Sequence, residues 1–354
     1  MNRHASVSVD LKALKHNLSI VRSVARQQKI LAVVKADAYG HGMVEAATAL
    51  TDAGADALGV AFVSEGVALR EAGIEAPILV LEGARHELEV AWASKAGLML
   101  TVHHEYQIRD LPDSLFLRPE LWLKIDTGMG RLGFKPKVAG QIAARLGTRC
   151  TTIMTHFACA DMPEDPLNDV QIQRFDEARR NVSLPSSAAN SAAIFAFPHA
   201  RYDWVRPGIV LYGSSPFRDE SAADLGLLPV MTLRAPIVAI NHHRKGESIG
   251  YGADFRCPAD MPVGVIAAGY ADGYPRHASP GTPVLVAGVE VPLIGRVSMD
   301  MITVDLSEVP ETSIGDLATL WGEGLPVDYV AAHSSTIAYE LLCNAGAHAD
   351  IEYV

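Results

Sequence analysis

Short apolar runs alternate with helix-type patterns along the first two thirds of the chain. Asp10 is a plausible helix N-cap, and the leucines and valines that follow it lie on one helical face up to Val24. The apolar runs are too short for helices and predict buried strands. They occupy residues 7–9, 30–34, 57–60, 78–81, 98–102, 121–125, 152–155, 187–189 and 205–210. Roughly eight strand–helix units over about 220 residues are typical of a (β/α)8 barrel. We therefore predict an α/β fold with an N-terminal TIM-type barrel.

The pattern changes near Pro229, where β-type runs broken by glycine, proline and Asp-Gly turns replace the alternation. These runs occupy residues 233–241, 263–269, 284–291, 301–306 and 317–321, and one helix is predicted near 327–342. We therefore predict a barrel over residues 1–228, followed by a mostly β C-terminal domain over residues 229–354. The first strand, about residues 1–9, could pair with the β domain.

Composition narrows the classes of partner. Of 354 residues, 49% are hydrophobic and 20% are charged, and the formal net charge of -11 argues against nucleic acids and anionic membranes. No apolar run is long enough for a secretory leader or a membrane span, so we predict a cytoplasmic protein that acts on small metabolites. The four cysteines lie far apart without a CxxC pair, so neither a disulfide framework nor a zinc site is predicted, and we expect no metal.

Lys35 follows the apolar run at residues 30–34. Lysine is almost never fully buried unless it is paired, so this side chain faces a cavity or reaches water. In a cavity, desolvation lowers the pKa of the amine and makes it a candidate nucleophile. At the surface, its ammonium would simply extend into solvent. This stretch alone leaves the two interpretations equally weighted.

Arg131 and His156 follow later predicted strands. Arg131 lies in Gly128-Met-Gly-Arg-Leu-Gly, whose G-x-G-x-x-G spacing superficially indicates a dinucleotide site. Pro136 interrupts the required helix, and no acid occupies the ribose-binding position, so we interpret the loop as a turn that aims Arg131 inward. A surface ion pair for Arg131 or a structural hydrogen bond for His156 would fit the same sequence.

An arginine and an anion-binding loop follow the last predicted strands. Pro207 holds Arg206 extended, while Ser191, Gly208 and the amide of Ile209 could bind an anion. Barrels frequently bind phosphate in these loops. One rim of the predicted barrel would thus carry a lysine, a histidine, an arginine and a phosphate loop. This combination suits pyridoxal 5'-phosphate (PLP). This cofactor requires a covalently bound lysine, a phosphate anchor and a partner for its ring nitrogen.

The sequence resembles the alanine racemases over essentially its whole length. The motifs stand in the family's order and approximate spacing. They are Lys35-Ala-Asp-Ala-Tyr-Gly-His-Gly, Asp126-Thr-Gly-Met-Gly-Arg-Leu-Gly, Val205-Arg-Pro-Gly, Gly250-Tyr-Gly-Ala, Gly269-Tyr-Ala-Asp-Gly and Gly295-Arg-Val-Ser-Met-Asp. The resemblance implies a barrel plus a β domain and a PLP enzyme that interconverts L-alanine and D-alanine. Such an enzyme either supplies D-alanine as a peptidoglycan precursor or consumes it in catabolism, and the sequence fits both roles.

The resemblance also implies residue roles. Lys35 would bind PLP and act as one catalytic base, and Tyr251 would be the second base, on the opposite face of the substrate. Arg206 would face the pyridine nitrogen, with His156 supporting it. The other cofactor-binding positions would be Tyr39, Ser191, Gly208, Ile209 and Tyr339. The substrate-binding positions would be Arg131 and Met299, and the entrance positions Tyr270 and Asp161. Lys124 matches a position that is reported to be carbamylated in many members. The family further implies a homodimer in which Tyr251, Met299 and Tyr270 reach the partner's barrel.

Racemisation removes a proton from one face of the substrate's Cα and delivers another to the opposite face, so two acid–base groups are required. A free phenol titrates near pH ~10, so Tyr251 would need cations nearby to act as a base. Arginine opposite the pyridine nitrogen argues against the amino-acid decarboxylases of this architecture, which normally place an acid there. A racemase of serine or of broader specificity and a non-catalytic, single-barrel PLP-binding protein are the remaining alternatives.

Overall fold

The computed structural model describes residues 4–111 and 119–354, so the first three residues of the predicted first strand lie outside the described part. After β1 (Ser6–Val9), eight parallel strands form a closed barrel, because the first barrel strand also pairs with the last. The barrel strands are β2 (Lys29–Val33), β3 (Ala57–Val60), β4 (Ile78–Val80), β5 (Met99–Val102), β6 (Leu121–Lys124), β7 (Cys150–Met154), β8 (Ser186–Ser187) and β9 (Trp204–Val205). The predicted barrel is confirmed.

Helices lie on the outside of the barrel, and most of them bury apolar residues against it. Helix Leu11–Val24 begins at Asp10, whose Oδ1 accepts hydrogen bonds from the amides of Lys12 and Ala13, so the predicted N-cap is confirmed. The helices after the barrel strands are Met43–Asp52, Val63–Glu71, Glu87–Lys95, Glu105–Arg109, Ala139–Leu146, Leu167–Arg180 and Ser191–Ala196. Among the described residues, no helix is long and apolar enough to cross a membrane.

The second half contributes seven strands to an eight-stranded sheet, in which β1 is the eighth, and this confirms the predicted β domain. Strands β11 (Ser248–Ile249) and β12 (Phe255–Arg256) form a separate small hairpin. The other strands of this half are β10 (Met231–His243), β13 (Met261–Ile266), β14 (Pro283–Val286), β15 (Val289–Ile294), β16 (Ile302–Asp305), β17 (Leu317–Trp321) and β18 (Asp350–Tyr353). The order in the large sheet is β13-β16-β15-β14-β17-β10-β1-β18. Strand β1 therefore lies in the β domain, antiparallel to β10 and parallel to β18.

Three local predictions were wrong. The predicted strand 205–210 ends at Val205, because Pro207 has no N–H for the ladder, and a 3-10 helix follows at Ile209–Tyr212. The predicted strand 284–291 is the β14–β15 hairpin, which turns at Ala287 and Gly288, both with positive φ. The single helix predicted at 327–342 is two helices, Val327–His333 and Ala338–Gly346, interrupted where Ser335 adopts a φ of 50°.

Candidate active site

Lys35 lies at the carboxyl end of β2 and begins a left-handed helical turn, Lys35–Gly40. Ala36, Asp37, Ala38 and Tyr39 have φ values of 53–56°. The left-handed conformation costs a non-glycine residue about 1–2 kcal/mol, so four in succession require external support. The observed geometry fixes the direction in which both Lys35 and Tyr39 leave the barrel.

Two carboxylates support this turn. Glu65 Oε1 accepts a hydrogen bond of 2.8 Å from the amide of Ala36, while its Oε2 caps the helix Val63–Glu71 by accepting from the amides of Ala61 and Phe62. Asp37 Oδ1 accepts from the amide of Met43 at 2.7 Å. The turn is therefore tied both to the neighbouring barrel unit and to the helix that follows it.

Arg206 and His156 form a buried pair at the same end of the barrel. The guanidinium, which is 4% exposed, donates to Ser187 Oγ and to the carbonyls of Thr155 and Ala188. Its Nη2 lies 3.4 Å from His156 Nδ1. Because a guanidinium only donates, Nδ1 is the acceptor and the imidazole is neutral. Desolvation is the main cause that holds the pKa of His156 well below its ordinary value, and repulsion from the positive charge of Arg206 is the second.

Lys124 adds a buried amine at the end of β6. Its side chain is 8% exposed, and burial lowers its pKa from 10.5 to about 8. The positive charges of Arg206, Arg131 and Lys35 contribute to this lowering, while the carboxylate of Glu82 opposes it. Arg131 itself is exposed, on a loop held by Asp126 Oδ1, which accepts from the amides of Gly128 and Gly130. The barrel mouth is therefore a concentrated positive region suited to anions.

A small polar cradle lies beside this positive region. Ser191 Oγ accepts a hydrogen bond of 2.9 Å from the amide of Gly208, and a Cβ on Gly208 would lie only 2.4 Å from the Tyr39 hydroxyl. The Tyr39 ring lies 5.9 Å from that of Tyr339, between ring centroids. Desolvation raises the pKa of both phenols, that of Tyr339 to about 12, so both remain hydrogen-bond donors at neutral pH. Next to Gly208, Ile209 begins the 3-10 helix Ile209–Tyr212.

The entrance residues lie outside the cradle. Asp161 is exposed, and its charge contributes to the raised pKa of Tyr339, which places the two side chains near each other. Tyr251, Met299 and Tyr270 lie on exposed loops of the β domain, with exposed fractions of 67%, 54% and 40%. The structure thus brings together the predicted barrel residues, whereas these three side chains face solvent in the single chain.

The exposed loops of the β domain form one surface. Arg296 Nε donates to Asp254, which ties the Tyr251 loop to the loop that carries Met299. The amide of Ala271 donates to the Met299 carbonyl at 2.9 Å, and the amide of Tyr270 donates to the carbonyl next to it. We call this surface, made of Tyr251, Tyr270, Arg296 and Met299, the β-domain face.

Sequence reasoning missed the residues that support the site. Ser187 binds the Arg206 guanidinium, and Glu65 binds the turn after Lys35. Tyr212 stacks on Tyr39 with ring centroids 4.7 Å apart and donates to the Val33 carbonyl at 2.9 Å. Their positions depend on contacts between distant segments, so the sequence carried no local signal for them. His41 belongs to the Lys35 motif but was given no role.

Comparison with known proteins places the chain in a family. Residues 9–216 match the family described as Alanine racemase, N-terminal domain, and residues 230–353 match Alanine racemase, C-terminal domain. An alanine racemase of Nitrosococcus oceani is 49% identical over 344 residues, which is 95% of each chain.

Solved structures agree with the sequence comparison. The biosynthetic alanine racemase of Pseudomonas aeruginosa superposes with a TM-score of 0.95 at 43% identity and 100% coverage of both chains. The Bartonella henselae alanine racemase, solved with covalently bound pyridoxal phosphate, superposes with a TM-score of 0.91 at 27% identity and 99% coverage of both chains. The chain belongs to the alanine racemase family.

Proposed function

We propose that this protein interconverts L-alanine and D-alanine with PLP, using Lys35 and Tyr251 as the two acid–base groups. The observation that carries the proposal is the convergence of Lys35, the buried Arg206–His156 pair and the cradle of Tyr39, Ser191 and Gly208 at one barrel mouth. Membership of the alanine racemase family supports the same activity.

The residues at the mouth fit PLP. A phosphate needs polar donors and a close backbone approach, and Gly208 provides that approach because any Cβ there would collide with the Tyr39 hydroxyl. Tyr39, Ser191, Gly208, Ile209 and Tyr339 would hold the phosphate, and Lys35 would bind the cofactor covalently. Lys124, Arg131 and Arg206 surround this space with positive charge that suits an anionic ligand.

When bound, PLP supplies a conjugated ring that stabilises negative charge at the substrate's Cα. Lys35 Nζ takes or returns a proton on one face of that carbon, and Tyr251 Oη serves the other face. Arg206 would donate a hydrogen bond to the pyridine nitrogen, and since its pKa of about 10 keeps the guanidinium charged at neutral pH, it could not accept a proton from the ring. A ring nitrogen held unprotonated in this way would favour racemisation over transamination.

Tyr251 would reach the site from a second copy of the chain. The phenol is 67% exposed in the single chain, yet proton transfer at a carbon acid requires a positioned base in an enclosed site. Docking the β-domain face on the partner's barrel would bring Tyr251 and Met299 to the cations there and place Tyr270 near the entrance at Asp161. The cations would favour the phenolate of Tyr251. We therefore propose a homodimer with shared sites.

Lys124 and Arg131 would bind on the substrate side. With a pKa of about 8, part of the Lys124 population is a neutral amine at physiological pH. Such an amine can add to carbon dioxide with loss of one proton, which yields a carbamate anion. Because Arg206, Arg131 and Lys35 are nearby, a negative group at this position would be stabilised. We propose that the modified Lys124 orients Arg131 toward the substrate carboxylate, which Met299 also contacts.

Purified protein offered a panel of L- and D-amino acids, with and without added PLP, tests the activity. Rapid interconversion of alanine alone is the expected result. Comparable turnover of serine would indicate the broader racemase, and PLP binding without any turnover would support the non-catalytic alternative.

Mixed subunits test the shared site. Lys35→Ala and Tyr251→Phe homodimers should each be inactive, whereas mixed dimers should recover activity because one of their two sites retains both bases. Absence of recovery in demonstrated mixed dimers would contradict the arrangement in which Tyr251 comes from the partner. A Lys35→Ala and Tyr251→Phe double variant mixed with the native chain provides the control, since its mixed dimers contain no intact shared site.

A further inference from the structure

His41 lies directly behind the left-handed turn that carries Lys35 and Tyr39. Its side chain is fully buried, and its Nδ1 lies 3.0 Å from the Ala38 carbonyl oxygen and 3.0 Å from the Tyr39 carbonyl oxygen. Both contacts go to residues in the strained left-handed region. The imidazole therefore bridges two carbonyls of the segment that most needs external support.

The hydrogen-bond partners of His41 fix the protonation state of its imidazole ring. A carbonyl oxygen accepts only, so Nδ1 must carry the hydrogen and Nε2 must be bare in a neutral imidazole. Nε2 is buried and has no hydrogen-bond partner among the described residues. A proton there would be a buried charge without an acceptor, and burial lowers the pKa of His41 to about 4. The ring thus remains a neutral Nδ1–H donor throughout the physiological range.

Ring contacts extend this support to the cradle. The His41 ring lies 4.6 Å from that of Tyr212, which in turn stacks on Tyr39 at 4.7 Å. Tyr212 also donates to the carbonyl of Val33, two residues before Lys35. The imidazole therefore contacts the turn through hydrogen bonds on one side and through a row of aromatic rings on the other.

We propose that His41, as its neutral Nδ1–H tautomer, is a positioning residue that holds the turn so that Lys35 and Tyr39 keep their directions toward the cofactor. It touches neither cofactor nor substrate and acts through the Ala38 and Tyr39 carbonyls. The inference rests on the proposed function of Lys35 and Tyr39.

Two substitutions separate the donor from simple packing. His41→Asn can place an amide N–H near the position of Nδ1 but leaves a void, whereas His41→Leu fills more of the space without a donor. A positioning role by hydrogen bonding predicts that Asn is the better replacement, and a packing role predicts that Leu is. We would measure PLP affinity of the apo-protein by absorbance titration, Lys35 labelling by PLP after borohydride reduction, and hydrogen exchange of the amides of residues 35–42 without PLP.

We expect His41→Leu to bind PLP about tenfold more weakly and to exchange the turn amides about tenfold faster, which is the scale of one lost buried hydrogen bond. His41→Asn should remain within about threefold of the native chain in both measurements. Nitrogen-15 spectra of the native protein should show a protonated Nδ1 and a bare Nε2. A bare Nδ1, or a Leu variant equal to or better than Asn in both affinity and exchange, would overturn the inference.

The same measurements keep the inference separate from the proposed function. If PLP fails to label Lys35 in the native chain, the proposed cofactor role is wrong. The exchange comparison then still decides whether His41 holds the turn. If PLP labels the native chain but both variants bind and exchange as it does, the proposed function stands and the role of His41 is refuted.

Discussion

Lys124→Met should stabilise the apo-protein most at neutral pH. Folding lowers the pKa of this lysine from 10.5 to about 8, and its side chain is only 8% exposed. Each pKa unit is worth about 1.4 kcal/mol, so the buried charge costs about 3 kcal/mol at pH 7. Methionine occupies a similar, unbranched volume without a charge. We therefore expect the variant to be more stable at pH 7 by about 3 kcal/mol.

The pH dependence identifies the cause. The unfolded chain holds the Lys124 proton up to pH 10.5 and the folded chain only to about 8. The unfolded state therefore binds more protons between these values, and the free energy of unfolding of the native chain rises with pH across that window. The advantage of Lys124→Met should shrink to about 2 kcal/mol at pH 9, whereas any packing contribution would be the same at both pH values.

Urea unfolding of the apo-protein in buffers freed of carbon dioxide would measure the stability difference between the two chains at pH 7 and at pH 9. Excluding carbon dioxide matters because the proposed carbamate would replace the cation with an anion. Lys15→Met, which removes an exposed lysine from helix Leu11–Val24, controls for the substitution itself. If the free energies of unfolding of Lys124→Met and of the native chain differ by the same amount at pH 7 and at pH 9, the reasoning is refuted.

Three other substitutions address separate parts of the site. Gly208→Ala should weaken PLP binding in absorbance titrations by about tenfold, because its Cβ would lie 2.4 Å from the Tyr39 hydroxyl. The same substitution should cost less affinity when it is made in a Tyr39→Phe chain, where that hydroxyl is absent, and unchanged affinity in the native chain would contradict the cradle. Glu65→Ala should lower the free energy of unfolding by about 1–3 kcal/mol, and Glu65→Gln, which retains an acceptor, should lower it less; equal losses would argue against the hydrogen bond from Ala36. Arg206→Glu should raise pyruvate formation relative to racemisation, since a carboxyl group can share a proton with the ring nitrogen; an unchanged ratio in a variant with native circular dichroism would reject that role for Arg206.

The barrel and the β domain could be predicted because their strands bury continuous or alternating apolar residues, a pattern that sequence displays directly. The site residues on the barrel could be placed because the carboxyl ends of parallel strands meet at one rim. The position at or just after a predicted strand is enough to assign Lys35, Lys124 and Arg206 to that rim, without any knowledge of side-chain geometry.

The left-handed turn could not be predicted. Ala36, Asp37 and Ala38 have no intrinsic preference for positive φ, and the hydrogen bonds to this turn come from Glu65 and His41, outside the three residues. The break near Ser335 was missed for a similar reason, because the apolar spacing on both sides is compatible with one continuous helix.

The position of β1 has a consequence for biosynthesis. Strand β1 is made before the barrel, yet it pairs with β10 and with β18, where the amide of Val354 donates to the Val9 carbonyl. The pairing with β18 must therefore wait until residues 350–353 have been made, while the barrel residues emerge from the ribosome much earlier. Because β1 lies between β10 and β18, residues 229–354 expressed alone would leave an edge of β10 open and β18 without its neighbour. The sheet of the β domain is therefore completed by a strand that precedes the barrel.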